Sequence, residues 1–111
     1  DRMAARAPGQ EGKDAVTHWE VMTRYVNATL LRVRIETGRT HQIRAHLLSI
    51  GHPVVGDPLY KMKAQKIRPT PPRLMLHAHT LSFVDDSGVP RSYTSPLPAL
   101  MNEYLLALPS V

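Results

Sequence analysis

Leu31, Val33 and Ile35 alternate with Arg32, Arg34 and Glu36, and no other stretch of this 111-residue chain constrains its fold as much. Successive side chains of a strand point to opposite faces, so this alternation requires a half-buried strand with its apolar face on a core. Upstream, Val16, His18, Glu20 and Met22 alternate with Thr17, Trp19, Val21 and Thr23, which predicts a second strand with Trp19 and Val21 inward. Asn27-Ala28 offers the turn between them, so the pair reads as an antiparallel hairpin.

Thr37-Gly38-Arg39-Thr40 interrupts the second strand, and the Thr40 hydroxyl suits the cap of a following helix. Within 41–50, Ile43, Leu47 and Ile50 recur at i, i+4 and i+7, which predicts one buried stripe. Gly51 suits the left-handed residue that closes a helix, and Pro53 prevents continuation. The run GHPVVGDPLY (51–60) then reads as a rigid connector. Residues 61–73 hold Lys61, Lys63, Lys66, Arg68 and Arg73 without an acid, and three prolines exclude regular structure from their second half. Alternation resumes from Leu74 to Val84, a third strand. Asp85-Asp86-Ser87-Gly88 is a turn and Val89–Thr94 a fourth strand. Pro96 opens a last helix with Leu97, Leu100, Met101, Tyr104, Leu105 and Leu108 at helical spacing. Residues 1–14 carry three Gly/Pro breakers and no hydrophobic period, so they read as a loop or linker before a unit spanning 15–111. The fold class is α+β, a mixed or antiparallel sheet with flanking helices.

With 42% hydrophobic residues a core is within reach, but aromatics are only 5%, so aliphatic side chains must fill it. The net charge of +5 and pI near 10.0 favour a polyanionic partner. The absence of cysteine excludes disulfides and thiolate metal sites. No apolar run approaches the ~20 residues of a membrane span, and neither amphipathic helix has a lysine-rich polar face, so a membrane partner is not expected.

The residues around the first helix invite a chemical reading. A glycine before a helix N-terminus lets backbone N–H groups face an anion, with Arg39 and His41 beside them. Helical spacing places Arg44 at the edge of the Ile43/Leu47 stripe, where a cation needs a buried partner or an anionic ligand. A snorkelling Arg44 on a solvated face satisfies the same pattern. The basic segment 61–73 suits phosphate contacts, and equally a soluble loop. His77 and His79 share a strand face, but neither an HExxH pattern nor a carboxylate cluster accompanies the histidines, so no metal is expected. There is no G-x-S-x-G elbow. Asp57, between Gly56 and Pro58, reads as a turn-capping residue.

LLRVRIETGRTHQIRAHLLSIGHPVVGDPLY (30–60) resembles the core of RluA-type RNA pseudouridine synthases, as do RLMLHAHTLSF (73–83) and SPLP (95–98). GKDAVTHWEVM (12–22) is similar to the strand preceding that core, so the resemblance runs over nearly the whole chain, in order. It implies half of a catalytic domain with a mixed sheet and flanking helices, RNA lying over a cleft, and isomerisation of uridine to pseudouridine in structured ribosomal or transfer RNA. No metal or organic cofactor is implied. An aspartate of such enzymes attacks the flipped nucleotide so that uracil detaches, rotates and rejoins through carbon. By resemblance, Arg44 pairs with that aspartate; Arg39, Thr40, His41, Gln42, Leu76 and His77 lie at the substrate, Leu76 on the apolar wall beside the base; and Lys61, Lys63, Lys66, Arg68 and Arg73 meet the RNA backbone.

The family's aspartate lies in a motif like R-L-D-x-x-T-S-G, and these 111 residues contain none. Its base-stacking tyrosine, in a K-x-Y-x-A strand, has no match at Tyr25 or Tyr60 either. The expectation is therefore the C-terminal half of a catalytic domain, inactive alone, completed by an N-terminal half of the same protein and self-associating through exposed sheet edge when that half is absent. The alternative is a non-catalytic RNA-binding module derived from the same fold. A bacterial-type cytoplasmic setting follows from the resemblance.

Overall fold

A computed structural model describes residues 2–5, 15–35, 41–62 and 66–111. Its elements run β1 (Arg2–Ala5), β2 (Ala15–Arg24), β3 (Thr29–Ile35), α1 (Gln42–Ser49), β4 (Thr80–Val84), β5 (Pro90–Thr94) and α2 (Ala99–Ala107). β1, β2 and β3 form one antiparallel sheet in that order, and β4 and β5 form a second. The α+β expectation holds.

The hairpin of β2 and β3 follows the alternation that predicts it. Thr17, Trp19 and Val21 stand opposite Ile35, Val33 and Leu31, while His18 and Glu20 stand opposite Arg34 and Arg32. The register shifts between Val21 and Thr23, so Met22 is a bulge. Tyr25 N donates to Ala28 O at 2.8 Å and closes the turn. Trp19 is half-buried and Val21 is exposed, while α1 bonds to β2 at Val16 and Thr17. Residues 2–5 differ from the loop reading. They pair along β2, from Arg2 opposite His18 to Ala5 opposite Ala15, since RMAA holds no Gly or Pro to block an edge strand.

α1 departs from its expected stripe. The residues it buries are Gln42, Ala45, His46 and Leu47, whereas Ile43 is only half-buried and Ile50 is exposed. A polar face can turn inward here because β2 supplies hydrogen-bond partners for it. The helix opens on His41, at φ 61° and without a side-chain cap; the expected cap, Thr40, lies outside the described residues. Its end is as read: Gly51, at φ 80°, bonds through its N–H to Leu48 O, and His52 N reaches Leu47 O, both at 2.9 Å.

The third strand is shorter than its alternation suggests. Residues 74–79 are an extended connector fastened by Met75 N to Val55 O and by Ser95 N to His79 O, each 2.8 Å, and regular pairing begins only at Thr80. α2 starts at Ala99 and buries Met101 and Tyr104, with Leu108 buried just beyond it; Leu100 is exposed. The Tyr104 hydroxyl donates to Pro69 O at 2.6 Å, and Val26 N to Pro109 O at 3.0 Å, so α2 is tied to the basic segment 61–73 and the chain end just beyond it to the hairpin turn.

Candidate functional site

Arg44 and Asp57 form the electrostatic centre of the described structure. Arg44 donates from Nε to Asp57 Oδ2 and from Nη2 to Oδ1, both at 2.7 Å, a two-point bridge of the strong kind. The Asp57 side chain is 0% exposed and that of Arg44 is 13% exposed. Asp57 Oδ1 also accepts from Leu59 N and Tyr60 N, each 2.9 Å, which is the turn-capping role its neighbours predict. Burial opposes ionisation of Asp57, but the Arg44 hydrogen bond and the two backbone N–H groups outweigh it and hold its pKa down at about 2. The same hydrogen bond raises Arg44 against the cost of burial.

Tyr60 extends this centre. Its ring lies 4.9 Å from the Arg44 guanidinium carbon, a cation–π contact, and its Oη lies 3.3 Å from His41 Nδ1. The His41 and Tyr60 rings meet edge to face. GDPLY therefore does more than connect: it supplies both the carboxylate and the ring that surround Arg44. Gly56 makes the loop's approach possible. At φ +81°, an added Cβ would stand 2.1 Å from Arg73 O.

On the opposite side of α1, Gln42 Nε2 donates to Val16 O at 3.0 Å and to Thr17 Oγ1 at 3.1 Å, and Thr17 Oγ1 lies 2.6 Å from His46 Nδ1. Gln42, expected at the substrate, is thus buried against β2.

The other expected site residues are dispersed. His41 is exposed beside Tyr60. Leu76 and His77 are half-buried, and His77 Nε2 lies 2.8 Å from Ser95 O. Arg73 folds onto its own segment, Nε to Leu74 O at 2.9 Å and Nη2 to Leu76 O at 3.2 Å. Lys61, Lys66 and Arg68 are exposed and open to an anion. Arg39, Thr40 and Lys63 lie outside the described residues. Among the described residues no group of three His, Asp or Glu side chains is placed to hold a metal, and no helix is long and apolar enough to cross a membrane.

The expected partner of Arg44 was an aspartate absent from the chain; the structure adds Asp57 as a partner within it. A sequence signal existed, since Asp57 is the sole acid between residues 37 and 84. Thr17 gave none, being one more threonine in an alternating strand.

A family model described as RNA pseudouridylate synthase matches residues 1–49. Ribosomal large subunit pseudouridine synthase D of Nitrosomonas europaea is 44% identical over 109 residues, covering 89% of this chain and 30% of that protein. The protein of the same name from Escherichia coli K12 is 40% identical over 110 residues, covering 85% of this chain and 32% of its own length. The chain spans roughly a third of the curated relatives it matches.

Proposed function

The chain belongs to the RluA-type family of RNA pseudouridine synthases, and from that premise we propose that its residues form the C-terminal part of a catalytic domain that isomerises uridine to pseudouridine in large-subunit ribosomal RNA. The observation that carries this reading is the posture of Arg44. Asp57 engages Nε and one Nη2 hydrogen, and a guanidinium has five N–H donors, so the Nη1 edge is left for a second carboxylate. That carboxylate is the nucleophilic aspartate, supplied from outside these 111 residues. Asp57 and Tyr60 hold the guanidinium in place, so little of its freedom remains to be lost when the aspartate arrives. The reaction keeps every atom of the nucleotide and transfers no electrons to a carrier.

Other surfaces fit the same reading. Trp19, Leu31, Val33, Ile35, Met75 and Leu97 are only half-buried along one open trough, which the remainder of the domain covers. The 111 residues alone are inactive and self-associate through their open sheet edges. Lys61, Lys63, Lys66 and Arg68 meet RNA phosphates, so binding weakens steeply with salt. The setting is the bacterial cytoplasm. One observation favours the alternative of a non-catalytic RNA-binding module: Asp57 already neutralises Arg44 without help.

Pseudouridine formation in unmodified large-subunit ribosomal RNA separates the two. The full gene product makes pseudouridine, and Arg44→Lys abolishes it, because an ammonium cannot hold two carboxylates in a planar fork. Undiminished activity in Arg44→Lys would remove the role given to this residue; RNA binding without any product would favour the module.

A further inference from the structure

The face that α1 turns to β2 is polar where an apolar one would have sufficed. Thr17 is 0% exposed, and Gln42 and His46 are each 1% exposed. The direction of every hydrogen bond among them can be derived. Val16 O can only accept, so the atom of Gln42 that meets it is the amide nitrogen, and that nitrogen must also donate to Thr17 Oγ1. The Thr17 hydroxyl hydrogen then has one destination among the described residues, His46 Nδ1 at 2.6 Å. Reversing that bond would leave a fully buried hydroxyl hydrogen without an acceptor, which is costly. His46 Nδ1 therefore carries a lone pair, and the neutral ring holds its proton on Nε2.

Helical geometry relates this chain of bonds to Arg44. At about 100° per residue, Arg44 lies about 200° from both Gln42 and His46, on the far side of α1. β2 grips one side of the helix and the Asp57 loop the other. We propose that Thr17 and His46 are positioning residues for Arg44, setting the roll of α1 through a one-way hydrogen-bond chain from Gln42 through Thr17 to His46. Apolar packing is non-directional and tolerates a roll, whereas these bonds weaken steeply with angle. A roll of about 10° moves atoms at the helix periphery, about 6 Å from the axis, by about 1 Å. A misplacement of that size can cost about 100-fold in rate.

This inference rests on the synthase reading, and its test keeps the two apart. In the full gene product, Thr17→Val keeps the shape and removes the hydroxyl. Its kcat falls about 10- to 100-fold with KM within about twofold, and Thr17→Ser restores it. Unchanged kcat in Thr17→Val, or a loss matching the unfolded fraction seen by circular dichroism at the assay temperature, overturns the proposal. Should Thr17→Val fail to fold, nitrogen-15 NMR of the wild-type histidines decides instead: His46 is neutral and protonated at Nε2, and a ring protonated at Nδ1 overturns the bond chain. A wild-type protein that makes no pseudouridine defeats the functional reading, and Arg44's place in it, while the tautomer still reports on the chain of bonds.

Discussion

Around α1, the polar side chains of Thr17, Gln42, His46 and Asp57 are buried and hydrogen-bonded, whereas every residue of β4 and β5 is exposed. Leu81, Phe83 and Tyr93 stand on one face of that hairpin, with the Phe83 and Tyr93 rings stacked at 6.0 Å, and solvent reaches them all. A two-stranded hairpin with an uncovered apolar face is marginal in water. Apart from the Nη1 edge of Arg44, the polar side chains here find partners within these residues, and the apolar surfaces do not. Local order at Arg44 therefore does not depend on what covers the hairpin, while the hairpin's order does.

The largest test of that contrast removes the carboxylate. In these 111 residues on their own, Asp57→Ala leaves Arg44 charged, mostly buried and without a carboxylate, and should cost about 3–5 kcal/mol in urea unfolding; a loss under ~1 kcal/mol would mean solvent reaches Arg44 freely. Two glycines sharpen the comparison further, because Gly56 and Gly88 have nearly the same backbone, φ +81° and +79°. Gly56→Ala drives a Cβ into the Arg73 carbonyl and should cost about 3 kcal/mol, strain and overpacking together. Gly88→Ala meets open space and should cost only about 1 kcal/mol, the left-handed penalty alone. Equal losses at the two would erase the distinction.

Acid should act next. The Asp57 pKa is about 2 in the folded chain against an ordinary 3.8, so the unfolded chain takes up the proton first as pH falls. The stabilisation is complete above pH ~4, worth about 2 kcal/mol, and disappears as pH drops through about 2. A series of urea midpoints from pH 5 to pH 2 measures it, and Asp57→Asn should flatten that part of the profile. The smallest effect belongs to the surface. Arg32 Nη1 meets Glu20 Oε1 at 3.1 Å, but both side chains are mainly exposed, so Arg32→Ala should change stability by less than about 0.5 kcal/mol.

The same contrast governs how much the sequence disclosed. Alternation over β2 and β3, and the Gly51 ending of α1, are local patterns with local causes, and they were legible. The buried face of α1 was not, because Gln42 and His46 look like surface residues until Thr17 supplies their partner from 25 and 29 positions away. Asp57 was half legible. Its turn role follows from Gly56 and Pro58, but its grip on Arg44 depends on the loop folding back over the helix, which no short-range pattern encodes. The strand expected over 74–84 pairs only from Thr80 onward, for the opposite reason: residues 74–79 carry the alternation but have no ladder partner among the described residues.

Mixing these 111 residues with a separately expressed remainder of the gene product, over large-subunit ribosomal RNA transcribed without modification, tests the central claim most directly. Pseudouridine should form only when both parts are present, and Arg44→Lys in this part should prevent it. Pseudouridine formed by the 111 residues alone would contradict the account, since Arg44 and Asp57 would then be working without a second carboxylate.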